Sequence, residues 1–366
     1  MNRGVLMRYL NSLSQPHLTA WMSIGIIVCL LVTISFSFAC TKLVWDTDDF
    51  GVIISRTEDF GFPTEPSLEV RAKGQTYKDP NSNNPVIWTS KYSSIISTLA
   101  HFTAVEGINE AGLSMSALSL DEETNTRPIE GQQDLMNTLL VPYVVDNFKT
   151  VNEVVNNIGK INIYKHLLNG SIVGGHYMVQ DKSGDSAVIE ILDGKFKIYH
   201  GPENNVLTNS PAYNFQLKNW EKLKPKSTRD IIGSFPLPGN AESSQRFVRG
   251  KYMLEALPTP TSYINAILTL ESALPSSAIN IPYKHKKGKM IKTASQYSIT
   301  YGLNQKIIYF QYRYQNSFTL FSTDFNKLND GNNYTLDATR ADLAGDVTGE
   351  YKEGLGVMQL YLVKHS

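Results

Sequence analysis

Cys40, Arg56 and Asp59 place a thiol, a guanidinium and a carboxylate within nineteen residues of chain. Those are the parts of nucleophilic acyl transfer. The thiolate attacks a carbonyl carbon, a cation beside it favours the thiolate, and a carboxylate orients a neighbouring amine by a charge-assisted hydrogen bond. A cysteine inside a chain is more often a small, inert, buried apolar group. The position of Cys40 argues otherwise. Residues 18–39 (LTAWMSIGIIVCLLVTISFSFA) form an uncharged, largely apolar run, preceded by Arg3, Arg8 and His17 and followed by Asp46, Asp48 and Asp49. It ends on Ser37-Phe38-Ala39, with small residues at the −3 and −1 positions of an export-signal cleavage site. Cleavage after Ala39 would make residues 1–39 a signal peptide and 40–366 one catalytic domain, periplasmic or secreted, that begins with Cys40. An α-amino group, with a pKa of roughly 8, then takes the thiol proton directly or through one water, and no separate histidine is needed.

Two other readings of the same stretch stay open. The run is long enough to remain as a single membrane anchor, and Cys40 is also where a lipoprotein would carry its lipid. The lipid signal is poor, with Phe38 where a small residue is wanted and Ser37 where Leu is usual. A lipidated α-amine could not act as a base, so that reading leaves a non-enzymatic, lipid-tethered binding protein.

The elements that must position these groups follow from residue periodicity. Apolar, β-branched stretches at 41–45 and 52–55 flank the turn-prone Asp46-Thr47-Asp48-Asp49-Phe50-Gly51, which predicts a hairpin. Arg56 and Asp59 end its second arm and fold back beside Cys40. Residues 78–85 read as a loop, and 108–120 (INEAGLSMSALSL) as a turn followed by an alternating strand. Further strands are expected at 176–180, 187–192, 196–200, 297–302, 307–313 and 318–321. Helical spacing runs through 135–158, with a kink or restart at Pro142, and through 213–223, 244–257 and 263–274. Strand runs broken by helix runs, without strict alternation, predict a layered α+β fold.

Composition narrows the function. Lys plus Arg and Asp plus Glu both total 34 for zero net charge, which argues against nucleic acid as a partner and, after signal cleavage, against a membrane surface. The basic stretch 284–289 (KHKKGK) reads as a solvated loop. Seven scattered histidines, with neither paired cysteines nor an HExxH motif, predict no metal, and no cofactor is expected. A small-molecule substrate fits this chain best.

The strings ACTKLVW and ISRTEDFG resemble the N-terminal Cys-Thr and Arg-x-x-Asp pattern of the choloylglycine hydrolase family, which includes penicillin V acylases and conjugated bile acid hydrolases. EGINEAGLSMSALSL, LTNSPAYNFQ, LPGNAESSQRFVR and TASQYSITYGLNQKIIYFQYR follow in the family's order. The resemblance implies an αββα four-layer sandwich of the N-terminal nucleophile hydrolase type. It further implies Cys40 as nucleophile, Arg56 and Asp59 beside it, Asn209 as the oxyanion-hole amide, Ser119 as the backbone oxyanion donor, and Arg246 as a further site residue. Phe60 and Phe62 are candidate substrate contacts. The implied activity is hydrolysis of linear N-acyl amide bonds of penicillin V or conjugated bile acid type, with acyl-homoserine lactone acylase activity as the alternative. The interval from Asn209 to Arg246 is shorter than in tetrameric relatives, so tetramer assembly through a hairpin there is not expected; homo-oligomerisation by another route stays open.

Overall fold

The computed structural model describes residues 40–363 except 62, 101, 169–170, 173, 227–236, 275–282, 285–289, 292–293 and 315–316. The expected signal peptide, Phe62 and most of the basic 284–289 stretch therefore lie outside the described residues. The chain opens on a hairpin of β1 (Thr41–Asp46) and β2 (Val52–Phe60). It continues through β3 (Ser67–Arg71), β4 (Ser94–Leu99), β5 (Thr103–Asn109), β6 (Ser114–Ser119), helices α1 (Leu140–Asn147) and α2 (Val151–Asn157), then β7 (Gly175–Gln180), β8 (Ser186–Leu192), β9 (Lys195–His200) and β10 (Val206–Leu207). Helices α3 (Tyr213–Leu223), α4 (Ser243–Ala256) and α5 (Tyr263–Ala273) precede β11 (Ala294–Gly302), β12 (Ile307–Tyr314), β13 (Ser317–Asp324), β14 (Tyr334–Asp337), β15 (Ala344–Asp346) and β16 (Lys352–Glu353).

Among the described residues these strands make a seven-stranded sheet, ordered β10-β1-β2-β11-β12-β13-β15, and a nine-stranded sheet, ordered β9-β8-β7-β6-β5-β4-β3-β14-β16. One apolar core joins the facing sides of the two sheets to α3, α4 and α5; a second joins the far side of the nine-stranded sheet to α1 and α2. The layers are thus helix, sheet, sheet, helix, the αββα sandwich expected from the motifs. β2 is buried at every residue because it is central in its sheet and covered on both faces. Its Ile53 and Ile54 and the Leu43 of β1 are fully buried, each worth roughly 1.5–3 kcal/mol relative to exposure.

Two glycines set close approaches. A Cβ at Gly250 of α4 would stand 2.9 Å from Leu43 Cδ2 and 3.0 Å from Val206 Cγ1, so glycine lets this helix press onto β1 and β10. Gly112, in the β5–β6 turn, has φ +87° and faces Leu303 O at 2.9 Å from an added Cβ, which any other residue would strain. The one clear departure from the sequence reading is 135–158. In place of a single kinked helix, a short strand (Asp134–Met136) pairs in parallel with Asn162–Tyr164, and α1 and α2 follow as separate helices.

Candidate active site

Hairpin register assembles the site before any distant segment joins it. Thr41 faces Thr57 and Lys42 faces Arg56, so Cys40, one residue ahead of β1, lies beside Glu58. The Cys40 thiol donates to Glu58 Oε1 at 3.3 Å. Side chains alternate along β2, which sends Arg56 and Glu58 toward the nine-stranded sheet and Ser55, Thr57 and Asp59 toward the helix layer. On that second face Ser55 donates to Glu271 of α5 at 3.2 Å.

Arg56 has no exposed surface. Its Nη1 donates to Val105 O at 2.8 Å, Ala117 O at 3.2 Å and Glu106 Oε2 at 3.3 Å, while Nη2 donates to Glu58 Oε2. With two carboxylates and two carbonyls around it, the guanidinium is largely committed. Burial accordingly holds the Cys40 thiol well above its usual range, Glu58 adds to that rise, and Arg56 opposes it. Behind Arg56, Glu106 also faces Lys42 Nζ at 3.6 Å and accepts from the Tyr301 hydroxyl. Burial pulls the Lys42 ammonium down to about 8, with Glu106 opposing.

Arginine at a helix start usually faces solvent, but Arg246 is 1% exposed. It lies one turn before Gly250, where α4 is pressed onto β1. From there Nη1 donates to Cys40 O at 2.5 Å and to Thr41 Oγ1 at 2.6 Å, Nε donates to Ala241 O at 3.0 Å, and Nη2 donates to Asn209 Oδ1 at 3.0 Å. That last bond fixes the amide of Asn209, whose Nδ2 then donates to Ser119 Oγ at 2.8 Å and Ser119 O at 3.2 Å. Gln216 and Ser243 hold Asn209 O in turn, and His176 Nε2 holds the preceding Thr208 O at 2.5 Å. Burial pushes the Asp59 carboxyl up to about 7, against the Arg246 guanidinium and the hydroxyls of Ser295 and Thr57.

Ser119 meets this group from the other sheet. It stands opposite Gly175, and the next pair is bonded by Leu120 N–H to Gly174 O, so Ser119 belongs to a non-hydrogen-bonded pair. Its N–H therefore points away from β7, toward the side where β5 and β6 part beyond the Glu106–Ser116 pair. The family model of linear amide C–N hydrolases, choloylglycine hydrolase family, matches residues 40–336.

The chain belongs to the choloylglycine hydrolase family. A penicillin V acylase of Pectobacterium atrosepticum is 30% identical over 249 residues, which are 63% of this chain and 63% of that protein. A bile salt hydrolase/transferase of Lactiplantibacillus plantarum is 28% identical over 166 residues, 40% of this chain and 51% of that one. The alignments thus span less than two thirds of the first relative and about half of the second. Among solved structures, a penicillin V acylase from Agrobacterium tumefaciens superposes with a TM-score of 0.75 at 26% identity, covering 87% of this chain and 98% of that one. A mutant conjugated bile acid hydrolase from Clostridium perfringens gives 0.67 at 20% identity, over 83% and 98%, a likeness of fold.

In this choloylglycine hydrolase family member a cleft of roughly 70 Å³ opens over Cys40, lined by Glu58, Phe60, Leu99, Val105, Leu118, Ser119 and Tyr177 among others. Phe60 packs with Leu99 and Val105 in one apolar wall of the cleft. Behind three other cleft-lining residues, Glu123 accepts from Gly175 N–H at 2.8 Å, Asn137 Nδ2 at 2.9 Å and the Tyr177 hydroxyl at 3.1 Å, and burial pushes its carboxyl up to about 7. Among the described residues no group of three or more His, Cys, Asp or Glu side chains gathers as a metal site, and no helix is long and apolar enough to cross a membrane. Cys40, Arg56, Asp59, Asn209, Arg246, Ser119 and Phe60 all meet at this cleft or directly behind it. Glu58 was not among the residues singled out from sequence. Its signal was available: counting outward from the turn, where Asp46 pairs with Val52, puts residue 58 opposite residue 40.

Proposed function

We propose that this chain is an exported N-terminal cysteine amidase that hydrolyses N-acyl amides of penicillin V or conjugated bile acid type through a thioester on Cys40. The observation that carries this reading is the convergence at one apolar cleft of the Cys40 thiol, the Asn209 amide held by Arg246, and the Ser119 backbone. Cleavage after Ala39 frees the α-amine of Cys40, which takes the thiol proton, and the thiolate attacks the amide carbon. The oxyanion displaces Ser119 Oγ as acceptor from Asn209 Nδ2 and takes a second bond from Ser119 N–H; one such donor is worth roughly 3–4 kcal/mol in the transition state. As the C–N bond breaks, the leaving nitrogen accepts a proton from the α-ammonium group. The same amine then activates water against the thioester. Arg246 acts by position, tying Cys40 O to Asn209 Oδ1. The acyl group lies against Phe60, Leu99 and Val105, which favours an apolar acid part without choosing among its shapes.

The test is intact mass of the exported protein together with turnover of penicillin V, a taurine-conjugated bile acid and a long-chain acyl-homoserine lactone. A chain that begins at Cys40 and releases product, with Cys40→Ala silent, is the expected result. The responding substrate fixes the acyl class. A retained or lipidated N-terminus without turnover overturns the reading and leaves a tethered relative of the fold.

A further inference from the structure

Glu58 is a buried carboxylate in contact with the Cys40 thiol, and the mechanism above does not use it. Its two oxygens are divided: Oε1 accepts from the Cys40 thiol at 3.3 Å and Oε2 from Arg56 Nη2. It is 2% exposed and lines the cleft. The groups that face it are Cys40 across the hairpin, Arg56 on its own strand, Glu106 of β5 and Tyr297 of β11, while Asp59, next along β2, points to the other face. Counting charges, Arg56 and Lys42 answer Glu58 and Glu106, and the buried set is neutral while Cys40 is a thiol.

Ionising the thiol while Glu58 stays a carboxylate would put two anions in contact in a low-dielectric site, with Glu106 a third close by. Like charges that share such a site hold one proton between them. We propose that Glu58 is a catalytic residue that accepts the Cys40 thiol proton first and relays it to the α-amine, so that Cys40 and Glu58 share a single proton until the amine hands it to the leaving nitrogen. The S–H bond breaks, an O–H bond forms on Glu58 Oε1, and the electron pair stays on sulfur. Negative charge moves from one neighbour of Arg56 to another, and the buried set remains neutral. When the C–N bond breaks, that proton passes from Glu58 by way of the α-amine to the leaving nitrogen, so in the thioester Glu58 is a carboxylate again; in hydrolysis the amine takes one proton from the attacking water and gives it to sulfur as the C–S bond breaks, which restores the thiol. Burial raises the proton affinity of both Cys40 and Glu58, as a shared proton requires.

The proposal rests on Cys40 as the reactive group, and its test needs no substrate: the rate of alkylation of Cys40 by iodoacetamide between pH 5 and 10, in the protein beginning at Cys40 and in its Glu58→Gln variant. If Glu58 takes the proton, the variant alkylates about tenfold or more slowly near pH 7, and the deficit closes at alkaline pH where solvent base suffices. If Glu58 merely repels the thiolate, the variant is as fast or faster, and the proposal falls. A loss that is uniform across pH marks a structural role and overturns it equally. Glu58→Met, apolar and of similar volume, carries the same outcomes should the glutamine variant not fold. A protein that turns over none of the amides yet keeps this pH response would sink the amidase reading and leave the role of Glu58 standing; turnover with no such response would do the reverse.

Discussion

Two buried arginines, Arg56 and Arg71, are both paired with carboxylates, and only one of them lies beside the cleft. Arg71 of β3 donates from Nη2 to Asp146 Oδ2 at 2.6 Å, Trp88 Nε1 donates to the same oxygen at 2.7 Å, and the guanidinium lies 4.5 Å from the Tyr77 ring centroid. That set ties the last turn of α1 to the nine-stranded sheet, and neither Arg71 nor Asp146 lines the cleft. Arg56 stands between two carboxylates, with Lys42 behind and a thiol in front, and Glu58 and Cys40 both reach the cleft wall. Burial and ion pairing are common to both. What separates them is a titratable thiol in contact with one carboxylate and an opening through which a substrate can use it. A perturbed buried acid is therefore weak evidence of function until its access is known.

The largest expected effect tests the closed cluster. Asp146→Ala leaves Arg71 charged, buried and unanswered, and should cost about 3–5 kcal/mol in urea denaturation. The kcat/KM of the folded fraction should stay within about twofold, because the Arg71 set touches nothing at Cys40. A drop of tenfold or more in kcat/KM at temperatures where the variant is folded would break the contrast between the two clusters.

Asn209→Ala sharpens the open side. On the proposed mechanism Asn209 donates to the oxyanion only in the transition state, so its removal should lower kcat by about 10²–10³, with KM little changed. Arg246 keeps Cys40 O, Thr41 Oγ1 and Ala241 O as acceptors, so the stability loss should stay near 1 kcal/mol. Steady-state kinetics paired with denaturation separates this from the Asp146 result, which moves the other quantity.

The sequence carried the hairpin, three of the helices to within a residue or so, and every resemblance-derived residue that the structure gathers at the cleft. Those features rest on local information: turn residues at 46–51, apolar periodicity and motif order. Residues 135–158 misled because their apolar spacing is continuous. Pro142 sits in the first turn of α1, where its missing N–H is unneeded, and so neither kinks nor restarts the helix. The break falls at 148–150 instead. There Thr150 Oγ1 accepts from Glu153 N–H and Glu153 Oε2 accepts from Lys149 N–H, a capping arrangement written in the sequence as Thr-x-x-Glu. Glu58 and the burial of Arg246 were less visible. The first depends on which residue the register sets against Cys40, and the second on how closely Gly250 lets α4 approach β1; neither is a property of the local string.

The smallest of these effects concerns Asp59, on the face of β2 opposite Glu58. Burial pushes its folded pKa up to about 7, above the ordinary aspartate value of 3.8, so between those values the folded protein holds a proton that the unfolded chain releases. The stability this group contributes is full below pH 3.8 and is lost as pH rises through about 7. Asp59→Asn cannot titrate, and its stability relative to the native protein should climb from pH 4 to pH 7 and level off above. The full shift corresponds to about 4 kcal/mol with the attraction to Arg246 already included, and relaxation of the buried site as Asp59 ionises should bring the climb down to roughly 2 kcal/mol. Denaturation midpoints of the two proteins across that pH range measure it directly. A flat difference would mean that Asp59 is ionised throughout, held so by Arg246, and then the acid side of the site would be governed by the Cys40–Glu58 pair alone.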